Sequence, residues 1–258
     1  MRAIWSGAIS FGLVNIPIKL FSAAEANALS FDMLDKHDHS PIKYKRVNSS
    51  TGREVPYEDI VKGYKMDDEY VVLTDADFKK VNIEKTKTLD IVDFVDEEEI
   101  DSVYYEKPYY LEPDKNAAKS YNLLLEALKK SKKVGVAIFV IRNREHLGVI
   151  KPHKNLLILN QIRFEHEIRK PEDLNVPKPK ELRGKELEMA LALIDQLSGK
   201  FEPKSYKDTY TDEIMKMIEM KAKGKTIRAK GKEPKATKPS DLMTLLKASL
   251  KQKKKKAA

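Results

Sequence analysis

The chain has 258 residues, 41% hydrophobic and 34% charged, enough apolar material for a sizeable core and too much for a wholly disordered polymer. No apolar run nears the roughly 18 residues that suggest a membrane span, and the lack of cysteine removes disulfides and thiolate metal sites, which suits a reducing cytoplasm. The net charge of +9 is lopsided: residues 221–258 hold 14 Lys or Arg against two acids, Glu233 and Asp241, so the preceding 220 residues carry a net −3. A basic end on a slightly acidic body points to a polyanion partner, since each lysine placed near a phosphate releases a condensed counterion. A solubilising, unstructured tail is the alternative.

The first 20 residues are apolar enough to suggest a secretory leader. Ser6, Gly7, Ser10, Gly12, Asn15, Pro17 and Lys19 interrupt it, however, and the alternation of Ile9, Phe11 and Leu13, then Val14, Ile16, Ile18 and Leu20, is that of strands. Strands are expected over Ala8–Leu20, Ile42–Val47, Tyr70–Thr74, Thr88–Val95, Tyr104–Leu111, Val134–Ile141, Leu147–Lys151 and Leu156–Phe164. Many short strands with short turns indicate an antiparallel barrel or sandwich. Thr74 with Asp77 reads as a capped turn, and Asp114–Lys130 as a helix with Ala117, Tyr121, Leu124, Leu125 and Leu128 on one face.

Pro171, Pro177 and Pro179 mark a connection, after which helical spacing takes over. Leu187, Ala190, Leu191, Ile194 and Leu197 form one stripe; a second helix from about Asp208 to Lys223 shows Tyr210, Ile214, Met217 and Ile218, with Gly224 as its stop. Both helices need a surface to bury against, in this chain or a second copy. Gly224–Pro239 reads as a flexible linker, followed by a short helix, Asp241–Leu250, capped by Ser240 and ending in Lys253–Lys256.

Catalytic patterns are nearly absent. Gly224-Lys225-Thr226 looks like the end of a phosphate-binding loop, but Glu219 stands where the upstream glycine is needed. His37-Asp38-His39 lacks a second ligand pair and reads as a polar loop; the acids Asp96–Glu99 and Asp101 read as a solvated loop. No metal and no cofactor are expected. What remains is basic residues among aromatics and turns: Lys43, Tyr44, Lys45 and Arg46; then Arg53, Lys62, Tyr64 and Lys65; then Arg142, Arg144, His146, Lys151, His153 and Lys154 around a hairpin. Strand edges that carry lysine to prevent pairing are the competing explanation for each cluster.

The run Ala3-Ile4-Trp5-Ser6-Gly7-Ala8-Ile9-Ser10-Phe11-Gly12-Leu13-Val14-Asn15-Ile16-Pro17-Ile18-Lys19-Leu20 resembles the N-terminal signature of bacterial Ku proteins. Further blocks follow in the family's order: Tyr44–Val47, Gly52–Val55, Asp59–Tyr64, Tyr70–Leu73, Lys107–Leu111, Glu188–Ala190, Tyr206–Tyr210, Asp241–Met243 and Ala248–Leu250. The family usually carries polar or Cys residues in the loop before Tyr44, where His37, His39 and Ser49 stand here.

The resemblance implies an α+β, mainly β fold: a Ku-type β-barrel core with extended arms, then a C-terminal helical arm and a basic tail. Its divisions would be a core with a DNA-bridge segment at 1–170, a helical dimerisation arm at 171–223, and a Lys-rich linker, short helix and basic tail at 224–258. The implied protein is a non-enzymatic homodimeric ring, cytoplasmic and nucleoid-associated, that threads onto ends of double-stranded DNA and recruits and stimulates DNA ligase D in non-homologous end joining. Such a ring accepts any sequence, so it needs phosphate contacts rather than base readout. The expected DNA-contacting residues are Lys43, Lys45, Arg46, Arg53, Lys62, Lys65, Arg142, Arg144, Lys151, Lys154, Lys253, Lys254, Lys255 and Lys256; the expected dimerisation residues are Leu187, Leu191, Ile194, Tyr210, Ile214 and Met217.

Overall fold

The computed structural model describes residues 1–25, 29–81, 87–142, 144–177, 184–225 and 242–256. Two compact units emerge, Met1–Pro171 and Glu172–Ala258. Most of the linker expected after Gly224, the Ser240 cap and Pro179 lie outside the described residues.

The sequence expected as one strand over Ala8–Leu20 is a hairpin, β1 (Trp5–Phe11) and β2 (Val14–Ser22). Phe11 faces Val14 across the turn, and Gly12 takes the left-handed φ of 58° that a two-residue turn requires. After the arm described below come β5 (Thr88–Asp96), β6 (Tyr105–Pro113), β7 (Lys133–Ile141), β8 (Arg144–His153) and β9 (Leu156–Ile162). These seven strands close into a barrel in the order β1-β2-β6-β9-β8-β7-β5. Closure is made by the parallel pairing of β1 with β5, Ala8 opposite Thr88, while the other neighbours run antiparallel.

Alternate residues point inward, as the pleat dictates. Ile9, Ile16, Ile18, Leu20, Leu89, Leu111, Phe139, Ile150, Leu157 and Leu159 are all buried in one cluster. A bulge between Ile91 and Asp93 resets the alternation, so Phe94 meets Phe11 edge-on at 6.5 Å. The expected helix forms as α2 (Ala118–Ser131; α1 lies in the arm), and Ala117, Tyr121, Leu124, Leu125 and Leu128 join the same cluster. The Tyr121 hydroxyl is inserted where the β6–β9 ladder ends: it donates to the Leu111 carbonyl and accepts from the Leu157 amide, each at 2.7 Å. A smaller outer cluster of Val134, Val149 and Ile162 is covered by Val95, Ile100, Tyr104, Tyr105 and Leu147.

Between β2 and β5 runs the arm. It contains β3 (Lys62–Met66), β4 (Glu69–Leu73) and α1 (Asp75–Val81). Ile42–Val47, expected as a strand, has only isolated bridges on either side, Leu34 with Pro41 and Val47 with Glu54. The reason is local: Asp35, Asp38 and Asn48 accept backbone N–H bonds from His37, Ser40, Ser50 and Thr51, so side chains set the turns and no ladder propagates. The β3–β4 hairpin turns at Asp67, φ 52°, and Tyr70 lies over Gly63. The capped turn at Thr74 and Asp77 starts α1, with the Thr74 hydroxyl donating to the Asp77 carboxylate at 2.6 Å. β2 ends and β5 begins on the same rim, on either side of β1.

The second unit holds α3 (Gly184–Leu197), α4 (Thr209–Ala222) and α5 (Leu242–Lys256). Asp208 caps α4 by accepting from the Thr211 amide at 3.0 Å, and Gly224, φ 69°, ends it as expected. The last helix runs six residues further than the expected end at Leu250, through Lys253–Lys256. α5 lies alongside α3.

Candidate nucleic-acid interface

On the arm, Lys43, Lys45, Arg46, Arg53, Lys62 and Lys65 are all exposed. They are not equivalent. Lys45 pairs with Glu54 at 2.7 Å across the Val47–Glu54 bridge, and the Arg46 guanidinium lies 5.2 Å over the Tyr57 ring. Lys62 pairs with Asp75 at 3.2 Å and sits 4.8 Å over Phe78. Exposed pairs of this kind are weak and exchange readily for phosphate. Lys43, Arg53 and Lys65 have no ion pair among the described residues. Residues 42–73 hold six basic and six acidic side chains, so this stretch offers separate cations rather than a continuous positive surface. Its acids collect at Glu54–Asp59 and at the hairpin tip, Asp67–Glu69.

The third cluster, expected around one hairpin, is divided between two. Arg142 and Arg144 border the β7–β8 turn, whereas Lys154 occupies the β8–β9 turn beyond Lys151. β8 has ten residues, so at roughly 3.3 Å per residue the two turns stand about 30 Å apart. The sequence shows one run of cations because β8 joins both turns. Arg142 and Lys154 are exposed and take positive φ, 54° and 53°. Arg144 binds Glu167 at 2.5 Å. Lys151 is half-buried on the outer wall, pairs with Glu97 and lies 5.6 Å over Tyr105. It pins the acidic strap Asp96–Asp101 to the barrel, as Lys133 does through Asp96 at 2.7 Å. The acids read as a solvated loop therefore have a fixed anchorage, and Lys151 has a structural partner. Lys253–Lys256 fall on the last turn of α5.

At the rim near Arg142, the Tyr109 hydroxyl donates to Gln161, whose amide donates to Glu106; Lys107 lies 5.6 Å over the Tyr109 ring. Neither contact was singled out in the sequence: Lys107 and Tyr109 are two residues apart on one face of β6, a local signal, whereas Arg46 and Tyr57 are brought together by the turns of the arm. His146 packs on Phe139 at 5.5 Å; burial, then the Arg144 charge, pushes its pKa down. Burial pushes the Tyr105, Tyr109 and Tyr121 hydroxyls up.

His37-Asp38-His39 forms a turn in which Asp38 accepts from the Ser40 amide and hydroxyl, which holds its carboxyl below the usual range. No group of three or more His, Cys, Asp or Glu is placed to hold a metal among the described residues, and no helix there is long and apolar enough to cross a membrane.

Of the expected dimerisation residues, Leu187, Leu191 and Ile194 leave about half their surface exposed on α3, and Tyr210 and Met217 are exposed on α4, with Ile214 half-buried. Ala190 belongs to a different face of α3, half-buried with Met189 and Leu193.

A closed barrel that carries a cation-bearing arm on one rim and a separate unit of amphipathic helices defines a class of binding scaffold. The family model described as the Ku70/Ku80 beta-barrel domain matches residues 10–189. Over 98% of its length the chain is 44% identical to the Non-homologous end joining protein Ku of Opitutus terrae, covering 92% of that protein, and 39% identical to that of Coxiella burnetii, covering 96%. The protein of the same name from Bacillus subtilis is 39% identical over 97% of the chain and 82% of its own length. The chain belongs to the Ku family.

Proposed function

We propose that the protein binds the ends of linear double-stranded DNA as a homodimeric ring and takes part in non-homologous end joining, the process named in its relatives. It acts as a DNA-binding structural factor and performs no reaction itself. Joining two ends requires phosphodiester formation, so the reading includes recruitment of a ligase, DNA ligase D in the resemblance. The site of action is the cytoplasm, at the nucleoid.

The observation that carries the ring is the incompleteness of the chain by itself. A two-stranded ribbon is marginal in water, and β3–β4 has exposed residues on both faces, Tyr64, Met66 and Val71 on one and Tyr70 and Val72 on the other. Helices of 14 residues draw most of their stability from packing, yet α4 shows Tyr210, Met217 and Ile218 to solvent, and the α3 stripe Leu187, Leu191, Ile194 stays half open among the described residues. A second copy supplies the missing surface. The cations of the arm, the hairpin turns at Arg142 and Lys154, and the lysines of α5 are assigned to the DNA backbone.

The test is a gel-shift competition with mass measurement of the complex. Labelled linear duplex should be displaced by unlabelled linear duplex and poorly by covalently closed circles, from a complex containing two chains. Equal competition by both forms, or one chain per complex, refutes the ring and leaves a general duplex-binding protein.

A further inference from the structure

The two legs of the arm loop at 33–42 are tied at their base through the backbone. The Ile42 amide donates to the Met33 carbonyl at 2.9 Å, and Leu34 bridges Pro41. Just outside that tie a side-chain contact repeats it: the Tyr44 hydroxyl donates to the Met33 sulfur at 3.3 Å. The bond lies in the open, since Met33 is 58% exposed and Tyr44 is exposed beside it. Met66, at the end of β3, is as open at 62%, yet among the described residues its sulfur accepts from no donor. A thioether is a weak acceptor, so the Tyr44 bond adds little to stability. Its effect is to hold a proton donor against a sulfur that solvent reaches. Peroxides convert an accessible methionine to its sulfoxide, a polar product that dedicated reductases return to the thioether.

We propose that Met33 is a redox modification site, oxidised by hydrogen peroxide ahead of the equally exposed Met66, and that Tyr44 assists the oxygen transfer and then holds the product. In the step, a sulfur lone pair attacks one peroxide oxygen, so that the S–O bond forms as the O–O bond breaks. The proton of the attacked oxygen passes to the departing one, which leaves as water. Sulfur gives up two electrons and the peroxide takes them. Tyr44 keeps its own proton: its hydroxyl donates to the departing oxygen while negative charge builds there, and afterwards to the sulfoxide oxygen. That oxygen accepts more strongly than the thioether did, so oxidation tightens the tie between the two legs. Lys43 and Lys45, on either side of Tyr44, are held by the same tie.

The full chain, folded, is treated with dilute hydrogen peroxide, quenched at intervals and cut with trypsin. Met33 and Met66 then fall on separate peptides, 20–36 and 66–79, whose oxidation mass spectrometry follows. Met33 should gain oxygen about fivefold faster than Met66, the rate equivalent of one ordinary hydrogen bond. Tyr44→Phe keeps the ring and removes the donor, and should bring the two rates together. Amide exchange at Ile42, which is bonded to the Met33 carbonyl, gives a second readout. It should slow once the parent is fully oxidised and stay unchanged when Tyr44→Phe is oxidised to the same extent. Equal rates at Met33 and Met66 in the parent overturn the proposal, because exposure alone then accounts for the oxidation. So does a Met33 lead that survives Tyr44→Phe, or an Ile42 amide that responds to oxidation in neither chain.

Discussion

Closure of the barrel between β1 and β5 depends on a position with no side chain, and Gly7→Ala tests it. A methyl carbon built on Gly7 would lie 2.3 Å from the Lys87 carbonyl oxygen and 2.2 Å from Cη2 of Trp5. Van der Waals separation is roughly 1 Å larger. The tryptophan packs against the core cluster, and the carbonyl belongs to the backbone entering β5, next to the Ala8–Thr88 pairing that closes the barrel. Neither retreats without disturbing the seam, so the cost belongs at the upper end of the overpacking range, about 3 kcal/mol. In urea, with a slope near 2 kcal/mol/M, the unfolding midpoint should fall by about 1.5 M. Gly12→Ala provides the contrast, since that position has φ 58° but open space around it; its cost should stay near 1 kcal/mol, from backbone conformation alone. A Gly7→Ala midpoint equal to that of the parent, or above that of Gly12→Ala, would refute the argument that this seam closes the fold.

Tyr121→Phe leaves the Leu111 carbonyl and the Leu157 amide unpaired in a buried place, which should cost about 1–3 kcal/mol by denaturant titration; an unchanged midpoint would show that the hydroxyl is not needed there. Replacing Lys43, Arg53 and Lys65 together with alanine should lower the salt slope of duplex binding by about 0.9 for each phosphate they neutralise, whereas Lys151→Ala should leave the slope alone and loosen the strap through Glu97. The opposite ranking in a salt series would move the DNA face to the outer wall. His146 has its folded pKa below the ordinary 6.5, so the unfolded chain takes up this proton first and stability drains away as pH falls through 6.5 toward the folded value. His146→Phe should therefore lose less stability than the parent between pH 7.5 and 5.5, and parallel curves would contradict the assignment.

How much was legible in the sequence varied with what each element relies on. The barrel strands from Thr88 onward and the face Tyr121, Leu124, Leu125, Leu128 follow from apolar alternation and helical spacing, which burial enforces. The β1–β2 turn was missed although the alternation changes phase at Leu13-Val14, from odd positions to even ones, and the positive φ of Gly12 marks the place. Ile42–Val47 has strand composition but no partner strand among the described residues, and Asn48 draws the neighbouring backbone into a turn instead. Long-range pairings carry no local signal: Lys151 with Glu97 is separated by 54 residues, so a cation on paper becomes a strap anchor in the fold. The family resemblance stood out for the opposite reason, as a long contiguous run in which Gly7 answers to a tight approach, Gly12 to a turn and Ile9, Ile16, Ile18 and Leu20 to the barrel core.

Because β2 departs and β5 returns on one rim, flanking β1, the whole arm enters and leaves the barrel through a gap of two strand spacings, about 10 Å. Closure entropy grows only with the logarithm of length, so segments of very different size can be hung from that gap at nearly the same cost to the barrel. The scaffold thus behaves as a socket, and divergence in what it grips need leave no trace in the strands that hold it.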